Sequence, residues 1–241
     1  MPTQTHPQPE STQIRQMFDT LAWRYDLFNR LVSLGMDKSW RTKVLQNIPM
    51  GSRVLDMGCG TGDLSLEAAQ MLGPAGEVVG LDFSSKMLAV AEKRYQSLGR
   101  PLNGHFKFIQ KSAEELPLLE KPFDLVVSGF VLRNLPQIDR VLTGVHESLK
   151  SGGEVRLLDF TEPRGSFGRA LFRAHMNTYG ALFGRLLFGK DFPAGYMAES
   201  AKRFPKPDEF VQKMKRAGFT DASAERFFFG AVVIYRGKKS A

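Results

Sequence analysis

The chain has 241 residues, 42% hydrophobic and 24% charged, the balance of an ordinary globular domain long enough to bury a substantial core. Its single cysteine, Cys59, excludes an internal disulfide and fits a reducing cytoplasm. The net charge of +8 with a pI near 9.6 favours anionic partners, so nucleic acid, an anionic membrane face and an acidic small molecule stay open on charge alone. No run approaches the ~18 apolar residues of a membrane span.

The opening MPTQTHPQPESTQ is polar and rich in Pro and Gln. It reads as a flexible lead-in over residues 1–14 without a secretory pattern, and 15–241 reads as one domain. Helical patterns fill residues 11–50. From about residue 51, β-rich runs alternate with helical ones. RVLDM (53–57) precedes a glycine loop and the helix LSLEAAQML. EVVGLD (77–82) precedes SSKMLAVAEKRYQSL, where Met87, Leu88, Ala91, Tyr95 and Leu98 recur at helical spacing. HFKFIQ (105–110), FDLVVSGF (123–130), a helix near QIDRVLTGVHESLK and GGEVRLLDF (152–160) follow. This alternation predicts a parallel sheet with helices on both faces. The chain's end departs from it. A helix, DEFVQKMKRAGF, carries Gly218 where a C-cap glycine belongs. ASAERFFF and AVVIYRG around Gly230 then read as an antiparallel hairpin. The expectation is an α/β domain with a mostly parallel seven-stranded sheet. Segments 15–50 and 163–200 are too long for plain connections and are expected to form a helical lid. Between Pro163 and Lys190 there are five Arg or Lys and no acid.

VLDMGCGTGD places Asp56 at a strand end before Gly58, Gly60 and Gly62. Glycines there permit a sharp strand-to-helix turn and close approach of a ligand, and the next helix offers free N–H groups. Asp82 ends the second strand, twenty residues after Gly62, where a carboxylate suits the two hydroxyls of a ribose. NAD and S-adenosylmethionine both use such an acid. A dinucleotide loop reads G-x-G-x-x-G around a pyrophosphate. This one reads D-x-G-x-G-x-G, and its leading acid repels a pyrophosphate but attracts an aminoalkyl sulfonium. The pattern therefore points to S-adenosylmethionine. In KSAEELP, Ser112 and the backbone of Ala113 are placed to meet the adenine edge. Ser112 also fits a helix N-cap with Glu115 as capping-box partner, and the two readings can coexist. Cys59 has no neighbouring His or Lys in sequence and reads as a small loop residue. The histidines show no metal-ligand spacing, and His175 is weighed as a base.

On these residues the chain resembles the class I S-adenosylmethionine methyltransferases, and within them the ubiquinone/menaquinone biosynthesis C-methyltransferases. The resemblance runs from about Met17 to Lys238. In FDTLAWRYDLFNRLVSLGMDKSW, Tyr25, Asp26, Asn29, Ser33 and Trp40 match the family's N-terminal signature; LRN (132–134) and GYMAES (195–200) match later segments. Phe28 and Asp37 depart from the signature, as do Glu147, Ser148, Ser151, Asp159 and Thr161 in the second one. Gly129 stands where relatives carry a serine, with Ser128 adjacent.

The resemblance implies a Rossmann-like fold and methylation of a ring carbon of a demethylated polyprenyl quinol. It places Tyr25, Thr61 and Ser128 among the cofactor contacts, Tyr196 in the substrate pocket, with plain packing the alternative for both tyrosines, and Arg133 and Asn134 on the quinol oxygens. The plainer alternatives for the last pair are a surface ion pair and a helix cap. A greasy segment at 166–189 suits a lipid tail, and its arginines suit anionic headgroups. Packing of the lid alone explains the same side chains. Peripheral contact with the membrane from the cytoplasmic side and a homodimer stay open as partners, and nucleic acid is not expected. Methylation of another small molecule and a cofactor-binding accessory role remain the competing functions.

Overall fold

A computed structural model describes residues 11–98, 104–118, 121–190, 192 and 195–241. Of the expected lead-in, residues 1–10 fall outside the described residues. The first helix already starts at Ser11, before the boundary expected at 15.

The strands are β1 (Arg53–Met57), β2 (Glu77–Asp82), β3 (His105–Gln110), β4 (Phe123–Gly129), β5 (Leu149–Phe160), β6 (Phe219–Phe227) and β7 (Val232–Lys239). They form one seven-stranded sheet in the order β3-β2-β1-β4-β5-β7-β6. The first five pair in parallel, and β7 runs antiparallel to both of its neighbours. The helices are α1 (Ser11–Leu21), α2 (Tyr25–Val32), α3 (Met36–Leu45), α4 (Asp63–Met71), α5 (Ser85–Ser97), α6 (Ile138–Ser148), α7 (Ser166–His175), α8 (Ala181–Phe188), α9 (Tyr196–Arg203) and α10 (Pro207–Arg216).

Successive side chains of a strand face opposite ways, and the two cores follow that rule. Val54, Val78, Leu125, Val127, Leu158 and Ile234 pack on one face with Trp40, Val44 and Leu66 from the helices. Leu55, Val79, Val126, Val155, Leu157 and Tyr235 pack on the other with Val141, Phe210 and Met214. Burial on both faces explains why β1 and β4 read as nearly unbroken apolar runs. Edge strand β3 instead exposes His105 and Lys107, which limits pairing with another chain.

Two boundaries differ from the sequence reading. β5 begins three residues earlier, because Leu149 already pairs with Phe123. β6 begins at Phe219, with a register shift between Thr220 and Ser223 where Asp221 adopts a φ of 51°. That bulge hid the strand's start from a period-2 pattern. Gly218 adopts a φ of 100° beyond α10, as a C-cap glycine should.

Candidate active site

The strand order reverses between β1 and β4, the place where open parallel sheets form a crevice beyond their carboxyl ends. A cleft of about 990 Å³, its open mouth included, lies there. Asp56 from β1, Asp82 from β2, the loop Gly58–Thr61, Ser112 and Gly129 border it. The turn after β1 depends on Gly58. It adopts a φ of 69°, and a Cβ on it would stand 2.5 Å from Val131 Cγ2. The backbone N–H groups of Gly58 and Cys59 both donate to the Leu81 carbonyl, at 2.7 and 2.9 Å, tying the loop to the tip of β2.

Asp56 is buried. Its Oδ2 accepts from Ser65 Oγ at 2.6 Å, while Oδ1 has no hydrogen-bond partner among the described residues. Burial pushes its carboxyl up to about 7, against the Ser65 hydrogen bond and with the help of Asp82. A buried carboxylate with a free oxygen awaits a cationic donor. Asp82 accepts from the Gly60 and Ser84 N–H groups, each at 2.8 Å, and burial raises it to about 6. Both oxygens are thus aligned by backbone and each keeps a second lone pair for a hydroxyl. Ser112 caps a short 3₁₀ turn in a full capping box with Glu115 and also borders the cleft. Burial and the two neighbouring carboxylates push the Cys59 thiol up, which leaves it an unreactive loop residue.

Gly62 and Ser128 sit differently from the cofactor role expected of them. Gly62 caps α4 in a left-handed conformation and does not border the cleft. Ser128 is fully buried, and its hydroxyl donates to the Met57 carbonyl at 2.7 Å. Strand alternation turns Ser128 into the sheet and leaves Gly129 at the cleft. A Cβ at Gly129 would meet Leu64 Cδ1 at 3.0 Å, so Leu64 takes the room a serine side chain needs.

A second cavity of about 370 Å³ adjoins the first, and Phe18 and Tyr25 border both. Its wall is mostly apolar, with Leu21, Phe28, Phe192 and Met197, and its polar groups come from Tyr25, Asn29, Arg133 and Tyr196. Arg133 and Asn134 meet neither plain alternative. The Arg133 guanidinium pairs at 2.5 Å with Asp159, which is fully buried, and donates to the Phe130 carbonyl at 2.9 Å. Its backbone N–H donates to the other Asp159 oxygen at 3.0 Å. Burial alone would lower the Arg133 pKa, and Asp159, Tyr25 and Tyr196 together more than offset it; Arg133 Nε is buried with no hydrogen-bond partner among the described residues. Asn134 does not cap α6. Its Oδ1 accepts from the Tyr196 hydroxyl at 2.7 Å, and it borders the first cleft. Burial raises both Tyr25 and Tyr196 against the pull of Arg133, so both hydroxyls remain protonated donors at neutral pH. His175 is remote from this chemistry: its Nε2 lies 2.8 Å from the Val32 carbonyl, joining α7 to α2.

Several participants were not foreseen. α1 carries Phe18 over the cleft, edge-on to Tyr25 at 5.8 Å and to Phe83 at 6.3 Å. A chain of charges fastens the N-terminal helices to the glycine loop. Arg94 pairs with Asp26 at 2.9 Å and Asp63 at 2.6 Å, Arg41 pairs with Asp63 at 3.1 Å and with Asp37, and the Thr61 hydroxyl donates to Asp26. Asp26 and Asp37 stand out in the sequence only against the family signature, and the chain of pairs they join cannot be read there because most of the partners come from distant segments.

The sheet order, the reversal point and the acid-tipped β1 and β2 define a class I, Rossmann-like S-adenosylmethionine-dependent methyltransferase. The cofactor fits the residues present, since the free oxygen of Asp56 suits its ammonium and Asp82 its ribose. A solved S-adenosylmethionine-dependent methyltransferase from Aquifex aeolicus shares the fold at a TM-score of 0.60, with 17% identity over 82% of this chain and 88% of its own. The chain belongs to the ubiE/COQ5 methyltransferase family, whose model matches residues 7–239. It is 34% identical to a demethylmenaquinone methyltransferase of Geobacillus kaustophilus over 96% of this chain and 99% of the relative. It is 32% identical to a ubiquinone/menaquinone biosynthesis C-methyltransferase of Pseudomonas savastanoi over 96% and 91%.

Proposed function

We propose that the protein methylates a ring carbon of a demethylated polyprenyl quinol, with the cofactor in the first cleft and the quinol ring in the second cavity. The observation that carries this reading is the shared wall. Phe18 and Tyr25 border both spaces, so a donor and an acceptor seated there are adjacent. Bound S-adenosylmethionine supplies an electrophilic methyl group on a sulfonium.

In this reading Asp56, Gly58, Gly60, Thr61, Asp82, Ser112 and Ala113 hold the donor, and Tyr25 reaches across from the N-terminal helices. Ring carbon becomes nucleophilic when the hydroxyl beside it loses its proton to a bound water. The ring regains its aromaticity when the methylated carbon gives up its own proton by the same route. A buried cation next to that hydroxyl favours the phenolate. Arg133 is such a cation, fixed by Asp159. Asn134 and Tyr196, hydrogen-bonded to each other, orient the second oxygen. Helices from 15–50 and 163–200 act as the lid that excludes water. Fixing both reactants in line is worth up to ~7–11 kcal/mol of the barrier. The lipid tail of such an acceptor brings the protein to the inner face of the membrane as a peripheral protein.

The test is transfer of label from S-adenosylmethionine to reduced demethylmenaquinone or demethylated ubiquinone precursors. Label on a ring carbon of either supports the proposal, and their ratio tells which quinone is preferred. Absence of label in every reduced quinone would assign the cavity to a different small molecule.

A further inference from the structure

We propose that the outer face of the helical run from Ser166 to Phe188 is a docking surface for an anionic lipid bilayer. This deepens the lipid-quinol reading and takes its purpose from it, but its argument is the surface itself. α7 and α8 are joined by a π-helical turn, Met176–Gly180, with helical dihedrals at both junctions. The inner face is regular: Phe172, Met176, Gly180 and Gly184 are all buried. At Gly184 a Cβ would stand 2.0 Å from Phe192, so this face is pressed tightly on the protein.

The outer face is apolar where a solvated helix would be polar. Phe167 is 80% exposed, Leu182 60% and Leu186 71%, with Leu171 and Tyr179 also exposed between them. The wide turn keeps these residues in one stripe. With ordinary helix in its place, the stripe on α8 would stand roughly a quarter turn away from that on α7. Beside it, Trp23 is 65% exposed and Leu27 is exposed too. Their segment is tied to α8 by Arg24, which donates to the Leu187 carbonyl at 3.1 Å.

Charge selects the occupant. Residues 163–190 carry five Arg or Lys and no acid. Arg164 and Arg173 pair with Asp208 and Glu162. Arg169, Arg185 and Lys190 have no ion pair among the described residues. An apolar stripe with basic flanks is the pattern of a helix lying in a lipid interface beside anionic headgroups, and exposed Trp is at home at that depth. No described helix is long and apolar enough to cross a membrane, so the run lies on the surface. The same run reaches the second cavity from inside: Phe188 packs on Phe28 at 5.8 Å, and Phe28 borders that cavity. A docked α8 therefore brings the acceptor cavity beside the lipid.

Co-sedimentation of the full chain with vesicles tests this. One set holds phosphatidylglycerol in phosphatidylcholine, the other phosphatidylcholine alone. The wild type should sediment with the anionic vesicles, and less so at high salt. L182E/L186E should bind them at least about tenfold more weakly, and R169Q/R185Q/K190Q should lose the preference for phosphatidylglycerol. Both variants should still methylate a short-tailed, water-soluble quinol at the wild-type rate, which shows them folded. Two results overturn the docking face: wild type that stays off anionic vesicles, or L182E/L186E that binds as wild type does. A solution dimer that L182E/L186E dissolves would also overturn it, by giving the stripe to a second copy. Vesicle binding without transfer to any quinol would instead sink the acceptor reading alone.

Discussion

Replacing Asp56 by Asn separates what this carboxylate does for the cofactor from what it does to the fold. Asp56 is buried, with one oxygen unpartnered among the described residues, and its pKa is raised from an ordinary 3.8 to about 7. At ~1.36 kcal/mol per pKa unit, that rise corresponds to roughly 4 kcal/mol. The sign follows from which state holds the proton. Between pH 3.8 and about 7 the unfolded chain loses this proton while the folded one keeps it. Stability present below pH 3.8 is therefore lost progressively as pH rises through 7. Asn at this site carries no charge, so empty D56N should unfold at a higher temperature than wild type at pH 8, with the gap closing towards pH 4. Cofactor binding should move the other way. A charge-assisted hydrogen bond contributes about 1.5–3 kcal/mol, so calorimetry at pH 8 should show Kd raised roughly 10- to 100-fold in D56N. Wild-type affinity should fall below pH 7, as Asp56 must first ionise, and that fall should be much shallower in the variant. Unchanged affinity at pH 8, or a D56N protein less stable than wild type there, would refute the assignment of Asp56 to the ammonium.

Removing Asp159 (D159A) strands a buried guanidinium and a backbone N–H, and should cost about 3–5 kcal/mol in chemical denaturation; D159E, if it restores the pair, should recover both stability and turnover. R133A and N134A should abolish methyl transfer to a quinol while cofactor affinity stays within a few-fold of wild type by calorimetry. Y196F removes only the hydroxyl that holds Asn134, at a net ~0.5–1.5 kcal/mol, and should slow transfer without unfolding the protein, as kinetics and melting measured together will show. Cys59, buried and with its thiol pushed up, should resist iodoacetamide at pH 8 until denaturant opens the loop, which mass spectrometry can follow.

The sheet was legible because its signals are local. Alternating apolar runs, glycine punctuation and a terminal hairpin mark seven strands, and burial on both faces makes the middle ones nearly continuous apolar words. The two acids at the cleft were legible for the same reason: Asp82 is the last residue of β2 and Asp56 the last but one of β1, at the carboxyl ends where the fold's crevice must be. The bulge at Asp221 and the early start of β5 were not, since each depends on a partner strand rather than on its own sequence.

Sequence alone thus determined the α/β sheet, its crevice and the two acids that border it, all of which follow from periodicity and from residue type at strand ends. Tertiary structure decided the rest. It turned Ser128 inward and filled its neighbour's space with Leu64. It joined Arg133 to Asp159 across 26 positions of chain and Asn134 to Tyr196 across 62. It also lined up one exposed apolar stripe through a π turn that no hydropathy period announces. Such contacts link residues far apart in the chain, and only packing sets which side chains meet and which stay exposed.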